Sequence, residues 1–226
     1  MTQIKEREFS NYVNIETIII PDSVTSIGEL AFNRCIKLTS INIPDSITSI
    51  GEGAFRRCES LTSLILPYSI KKINDLTFQD CEKLQKINIP DSVTSIGNDA
   101  FNGCKCLTSI IIPDSITSIG EGAFANCINL ASVTIPDSVT SIGDYVFASC
   151  PLKDLDLITA VLITKLSNRD VMDCVMRGRY RLSKEEQKKT IKVARMHNAY
   201  DLIKPWIDDD VWNASRGSHT ISNLED

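Results

Sequence analysis

Over the first two thirds of the chain, apolar and polar positions follow one rhythm. In Leu38-Thr39-Ser40-Ile41-Asn42-Ile43 the apolar residues Ile41 and Ile43 alternate with polar ones, the pattern of a short strand with one face turned inward. Pro44 ends that strand, since it has no N–H for a ladder and fixes the φ of a turn. Asp45 and Ser46 suit the corner that follows. Ile47 and Ile50 direct a second extended segment back into the core, and Gly51 permits a tight bend. Ala54 and Phe55 are expected to plug the interior from a short helical turn, with Cys58 behind them as an apolar filler. The same order returns every 23 residues, with Pro at 21, 44, 67, 90, 113 and 136 and Phe at 32, 55, 78, 101, 124 and 147. Cysteine at 35, 58, 81, 104, 127 and 150, and serine at 23, 46, 69, 92, 115 and 138, keep the period. Such regularity without insertions predicts like coils, each stacked on the one before. With strands about 4.8 Å apart, six or seven coils make a rod about 30 Å long.

Both ends depart from the period. A shift of 23 pairs Ile4 with Ile27, Phe9 with Phe32, Tyr12 with Cys35 and Ile15 with Leu38, so the chain opens in mid-coil. Tyr12 stands where a thiol recurs and charged Glu8 where Ala31 stands, which reads as a polar cap on the first coil. At the other end Leu152, Leu155 and Leu157 continue the strand pattern after a one-residue deletion, and Ile158 replaces the expected proline. Residues 158–212 read as helical: Ile158, Val161, Leu162 and Leu166 have helical spacing, and Ser167-x-x-Asp170 and Ser183-x-x-Glu186 are capping signatures. Trp206 and Trp212 read as anchors for a final segment, and 213–226 as a polar, loose tail. The expected organisation is a solenoid over 1–157, a helical segment over 158–212 that caps its open end, and the tail.

The repeat L-x-x-I-x-I-P-D-S-V/I-T-S-I-G-x-x-A-F-x-x-C-x-x resembles the BspA-like leucine-rich repeat over residues 1–157. It departs from the common pattern where Asn or Cys after the strand becomes Ser, whose hydroxyl still satisfies backbone at a corner. The fold expected is an α/β right-handed leucine-rich-repeat solenoid of 23-residue β-rich coils with a C-terminal helical cap. The resemblance implies recognition or adhesion, often at the cell surface, in bacteria and some protists.

Composition narrows the field. Hydrophobic residues make up 42% and charged residues 23%, as in ordinary folded proteins, and no apolar run approaches the ~18 residues of a membrane span. The opening MTQIKEREFSNYVNI lacks the apolar stretch of a secretory signal, so an intracellular protein is expected, or a surface one if the chain is part of a longer precursor. Residues 1–152 carry 11 basic and 17 acidic side chains, and 153–226 carry 13 and 12, a balance that gives nucleic acid no electrostatic hold. Six of the eight cysteines lie on the ladder. Parallel Cβ vectors keep neighbours farther apart than the ~3.8 Å of a disulfide, so free buried thiols are expected, which suits a reducing compartment. Cys104-Lys105-Cys106 is a lone pair without zinc spacing, and His197 and His219 have no catalytic partner in view. The column Asp22, Asp45, Asp91, Asp114 and Asp137 is ordinary turn chemistry after proline. Asn213-Ala214-Ser215 is a glycosylation sequon that matters only in a secreted protein. No phosphate loop, dinucleotide fingerprint or hydrolase elbow occurs, so no enzyme, cofactor or metal is expected.

Surface remains. Alternation turns two columns outward from the first strand: Thr17, Ser40, Ser63, Lys86, Ser109, Ser132 and Asp154, and Ile19, Asn42, Ile65, Asn88, Ile111, Thr134 and Asp156. Isoleucines on a polar strip mark either β-propensity or a binding face. The Pro67 copy breaks the wording: Asp becomes Tyr68, Thr-Ser becomes Lys71-Lys72, Gly becomes Asn74 and Ala becomes Thr77, changes expected to fall on solvent or corners. An aromatic ring beside lysines, with Ile65 before it and Lys86 after it, reads as a second candidate anchor, with drift as its alternative. The function expected is protein–protein recognition by a monomer through its concave strand face. The rivals are a spacer or assembly unit without a ligand, a surface-adhesion fragment, and an enzyme seated in the helical end.

Overall fold

In the computed structural model residues 2–151 are described, and they form a stack of parallel, β-rich coils in the register that the 23-residue period demands. Strands are numbered along the chain and fall in two columns. One column, after each proline corner, holds β1 (Thr2–Ile4), β3 (Val24–Ile27), β5 (Ser49–Ile50), β7 (Lys72–Ile73), β9 (Ser95–Ile96), β11 (Ser118–Ile119) and β13 (Ser141–Ile142). The other, before the proline, holds β2 (Thr17–Ile19), β4 (Ser40–Asn42), β6 (Ser63–Ile65), β8 (Lys86–Asn88), β10 (Ser109–Ile111) and β12 (Ser132–Thr134). Every pairing is parallel, and Ser109, Ile110 and Ile111 stand opposite Ser132, Val133 and Thr134, 23 residues on.

Inside, like packs on like. Phe9, Phe32, Phe55, Phe78, Phe101, Phe124 and Phe147 form one continuous stack, with centroids 5.2 to 5.6 Å apart and rings within 13° of parallel. That is offset stacking at a spacing set by the strands. The expected alignment of Phe9 with Phe32 is therefore observed. Tyr12, exposed where its counterpart Cys35 is buried, meets the edge of Phe9 with centroids 5.8 Å apart.

The segment carrying Ala and Phe is not the helical turn that the sequence suggested. Its amides alternate in purpose: Ala54, Arg56 and Cys58 donate back within the turn to Gly51, Gly53 and Phe55, while Gly53, Phe55 and Arg57 donate forward to Asp75, Thr77 and Gln79 of the next coil. A helix would use every N–H internally. Two left-handed residues per coil make the alternation possible, at 7, 30, 53, 76, 99, 122 and 145 and at 11, 34, 57, 80, 103, 126 and 149. Most are not glycine, so the stacking overrides an unfavourable local choice.

The glycine that precedes this turn also differs from expectation. Gly51 does not have a left-handed φ; its hydrogen faces backbone of the coil before, and a Cβ there would stand 2.5 Å from the Glu29 nitrogen. The same holds at Gly28, Gly97, Gly120 and Gly143. Close approach, not a bend, is what the residue supplies. The helical cap expected over 158–212 and the tail over 213–226 lie outside the described residues, with His197, His219 and the sequon.

Candidate interaction surface

Thiols and hydroxyls tie the coils together. Each ladder cysteine donates to the carbonyl of the phenylalanine 26 residues earlier, from Cys35 to Phe9 at 3.1 Å through Cys150 to Phe124 at 3.1 Å. The filler role expected for these thiols was therefore only part of it, and a recurring Cys in place of Ala was the sequence's hint. Burial pushes the Cys35 thiol from 9.0 up to about 11 and raises Cys58, Cys81 and Cys104 further. All seven described cysteines are free. Ser46, Ser115 and Ser138 donate to carbonyls of the preceding coil at 2.7 Å, as the corner argument required, and Ser69 does so to Ile47. Ser92, next after the divergent copy, is half-buried, and its buried Oγ has no such bond.

The first-strand face carries the outward residues that alternation predicted. Ser40, Asn42, Ser63, Lys86, Asn88, Ser109, Ser132 and Thr134 are all exposed, and Ile19, Ile65 and Ile111 are 82%, 75% and 84% exposed. These isoleucines recur every second coil. Within the hydrogen-bonded pairs they stand opposite polar residues, Ile19 beside Asn42, Ile65 beside Asn88 and Ile111 beside Thr134. Between β8 and β10 the surface sinks into a depression of about 650 Å³ that brings Lys86, Asn88, Ser109 and Ile111 together with Asp91 and Asp114.

The divergent copy does not join this face. Tyr68, 68% exposed, sits on the corner, and Lys72 lies in β7 on the second-strand column with Lys71 just before it. Lys72 ends a separate, polar trough of about 600 Å³ lined by Ser95, Ser118, Ser141, Asn98 and Glu121 and floored by glycines. Lys86 belongs to the other column and lines the other depression. Nor are all the changes of this copy superficial. Thr77 is 1% exposed, and its hydroxyl donates to the Asn74 carbonyl at 2.7 Å. Asn74 is half-buried and reaches the Ile50 carbonyl with its side-chain amide at 2.6 Å. Among the described residues no three His, Cys, Asp or Glu side chains gather in a metal-binding arrangement.

Stacked parallel strands, a one-per-coil aromatic core and a polar strand face define a leucine-rich-repeat β-solenoid. Six copies of the BspA type leucine rich repeat region are matched over residues 2–108 and 94–169, and the chain belongs to that family. A leucine-rich repeat protein of T. pallidum is 32% identical, with a TM-score of 0.67 over 74% of this chain and 77% of that one. A leucine-rich repeat protein from Bacteroides ovatus is 38% identical, with a TM-score of 0.58 over 60% of this chain, which spans only 37% of that protein. One from Eubacterium ventriosum, at 22% identity and a TM-score of 0.53, shares the fold. No curated protein matches the chain.

Proposed function

We propose that this chain is a non-enzymatic protein-recognition module that engages its partner through the first-strand face. The observation that carries this reading is the period of 46 residues in exposed isoleucine. β-propensity alone would favour a β-branched residue in every coil, yet Asn, a poor strand former, stands at 42 and 88. An inert spacer has no use for three large apolar side chains held in water at fixed intervals. Their spacing, two strand separations or about 10 Å, leaves room for partner side chains between them, with serines and asparagines as a polar rim. In this reading the solenoid winds right-handed with the first-strand face concave, residues 158–212 form a helical cap, and the module works as a monomer. The free thiols favour an intracellular setting.

Placing a photo-crosslinking amino acid at Ser109 on the first-strand face, and in a second protein at Ser118 on the other column, tests the choice of face. Adducts from position 109 and none from 118 support it. Adducts from 118 alone would move the partner to the glycine-floored trough.

A further inference from the structure

The strand columns are interrupted at one level in both sheets at once. After-proline strands pair in the order β1-β3-β5 and, separately, β7-β9-β11-β13; before-proline strands pair as β2-β4, β6-β8 and β10-β12. Only between the Pro44 and Pro67 coils, among those described, do both ladders open together. The cause is in the substituted residues. Wherever glycine stands at this position, an added Cβ would lie 2.3 to 2.6 Å from backbone of the preceding coil. Asn74 carries that Cβ, so the coils cannot approach as closely on this side.

The lost bonds can be named. Gly28, Gly51, Gly97, Gly120 and Gly143 donate their N–H to the isoleucine carbonyl 24 residues earlier at 2.8 or 2.9 Å, whereas Ile50 accepts from the Asn74 side chain instead. Thr48, Thr94, Thr117 and Thr140 each donate N–H 23 residues back at 2.9 Å, and their hydroxyls reach the same carbonyls. Lys71 makes no such backbone bond and has no hydroxyl. On the first-strand side the remaining contact, Thr62 N–H to the Thr39 carbonyl, is stretched to 3.5 Å. The opposite side is reinforced at this same level. Gly53, Phe55 and Arg57 keep their bonds to the next coil, Arg56 Nε donates to Gln79 Oε1 at 2.6 Å, and Arg57 pairs with Asp80 at 3.4 Å.

We propose that this junction is a hinge: two rigid stacks, one up to about residue 60 and one beyond it, open and close on the strand side about an axis held by the arginine side. The joint lies between Asn42 and Ile65, so its angle sets how far the Ile19 end of the first-strand face stands from the Ile65–Ile111 end. The divergent wording is then neither drift nor a docking anchor but the chemistry of a joint.

Amide hydrogen exchange on the full chain, read residue by residue, tests this. Lys71 and Asn74 should exchange roughly ten-fold or more faster than their counterparts Thr94 and Gly97, while Gly53, Phe55 and Arg57 stay as protected as Leu76, Phe78 and Asp80. In Lys71→Thr/Asn74→Gly, the glycine wording of the other coils, protection at 71 and 74 should rise to that of 94 and 97. Equal protection at 71, 74, 94 and 97 in the parent overturns the hinge. So does exchange at 53, 55 and 57 as fast as at 71 and 74, which would mean general fraying of the coil.

Discussion

At the scale of single residues, the cysteine ladder does two things at once, filling space beside the phenylalanine stack and donating to its carbonyls. Both depend on the neutral thiol. Burial raises the pKa of Cys35, Cys58, Cys81 and Cys104 above the ordinary 9.0, and at Cys127 the hydrogen bond with the Cys150 thiol raises it first, with burial second. A pKa raised on folding contributes stability that is fully present below the unfolded value and is lost as pH climbs toward the folded one. For Cys35 that window runs from 9.0 to about 11. Each such thiol costs the fold about 1.4 kcal/mol per pH unit inside its window. The melting temperature should therefore hold steady from pH 6 to 8 and drop steeply above 9, and a Cys35→Ala/Cys58→Ala variant should show a shallower drop. A flat profile to pH 10.5 would contradict the neutral-thiol account. The ladder was visible in the sequence because its period is; its donor role was not, since donation depends on where a carbonyl 26 residues away points.

Among elements, the lesson lies in the turn between Gly51 and Cys58. Its Ala-Phe-x-x-Cys wording suits a helical plug, and the buried positions Ala54, Phe55 and Cys58 were legible from it. The conformation was not, because a helix satisfies its amides alone whereas this turn gives alternate amides to the next coil. A faint signal existed in the column at 11, 34, 57, 80, 103, 126 and 149, where Asn, Asp and Gly are common for left-handed backbone. Gly51 and its equivalents were recognised as necessary but for the wrong reason. Since the constraint is approach to the neighbouring backbone, Gly120→Ala, whose Cβ would stand 2.5 Å from the Asn98 nitrogen, should cost about 2 kcal/mol or more in urea unfolding. A cost no larger than that of an exposed surface change, about 0.5 kcal/mol, would show that the coils separate freely.

For the whole molecule, a strict period without insertions made the solenoid readable over the described residues, and alternation was enough to name the exposed residues of the first-strand face. Grouping was harder. Tyr68, Lys71 and Lys72 are close to Lys86 in sequence but belong to a different face, because the turns that carry Phe78 and Cys81 redirect the chain between β7 and β8. The proposed cap is tested by cutting after Leu157. An uncapped coil exposes its apolar interior and an open strand edge, so the shortened protein should melt several degrees lower or self-associate. A monomer with an unchanged melting temperature would make residues 158–212 an independent unit.

Recognition through exposed isoleucines is the central claim, and affinity for a crosslinked partner measures it directly. Ile19→Asn, Ile65→Asn and Ile111→Asn together copy the residue found at Asn42 and Asn88, so the fold should keep its melting temperature. If those three side chains anchor the partner, their loss should cost about 2 kcal/mol or more, a weakening of roughly 30-fold. Tyr68→Asp/Lys72→Ser, on the corner and the other column, should bind within about three-fold of the parent. Undiminished binding by the isoleucine variant, with binding lost in the lysine variant, would contradict the account.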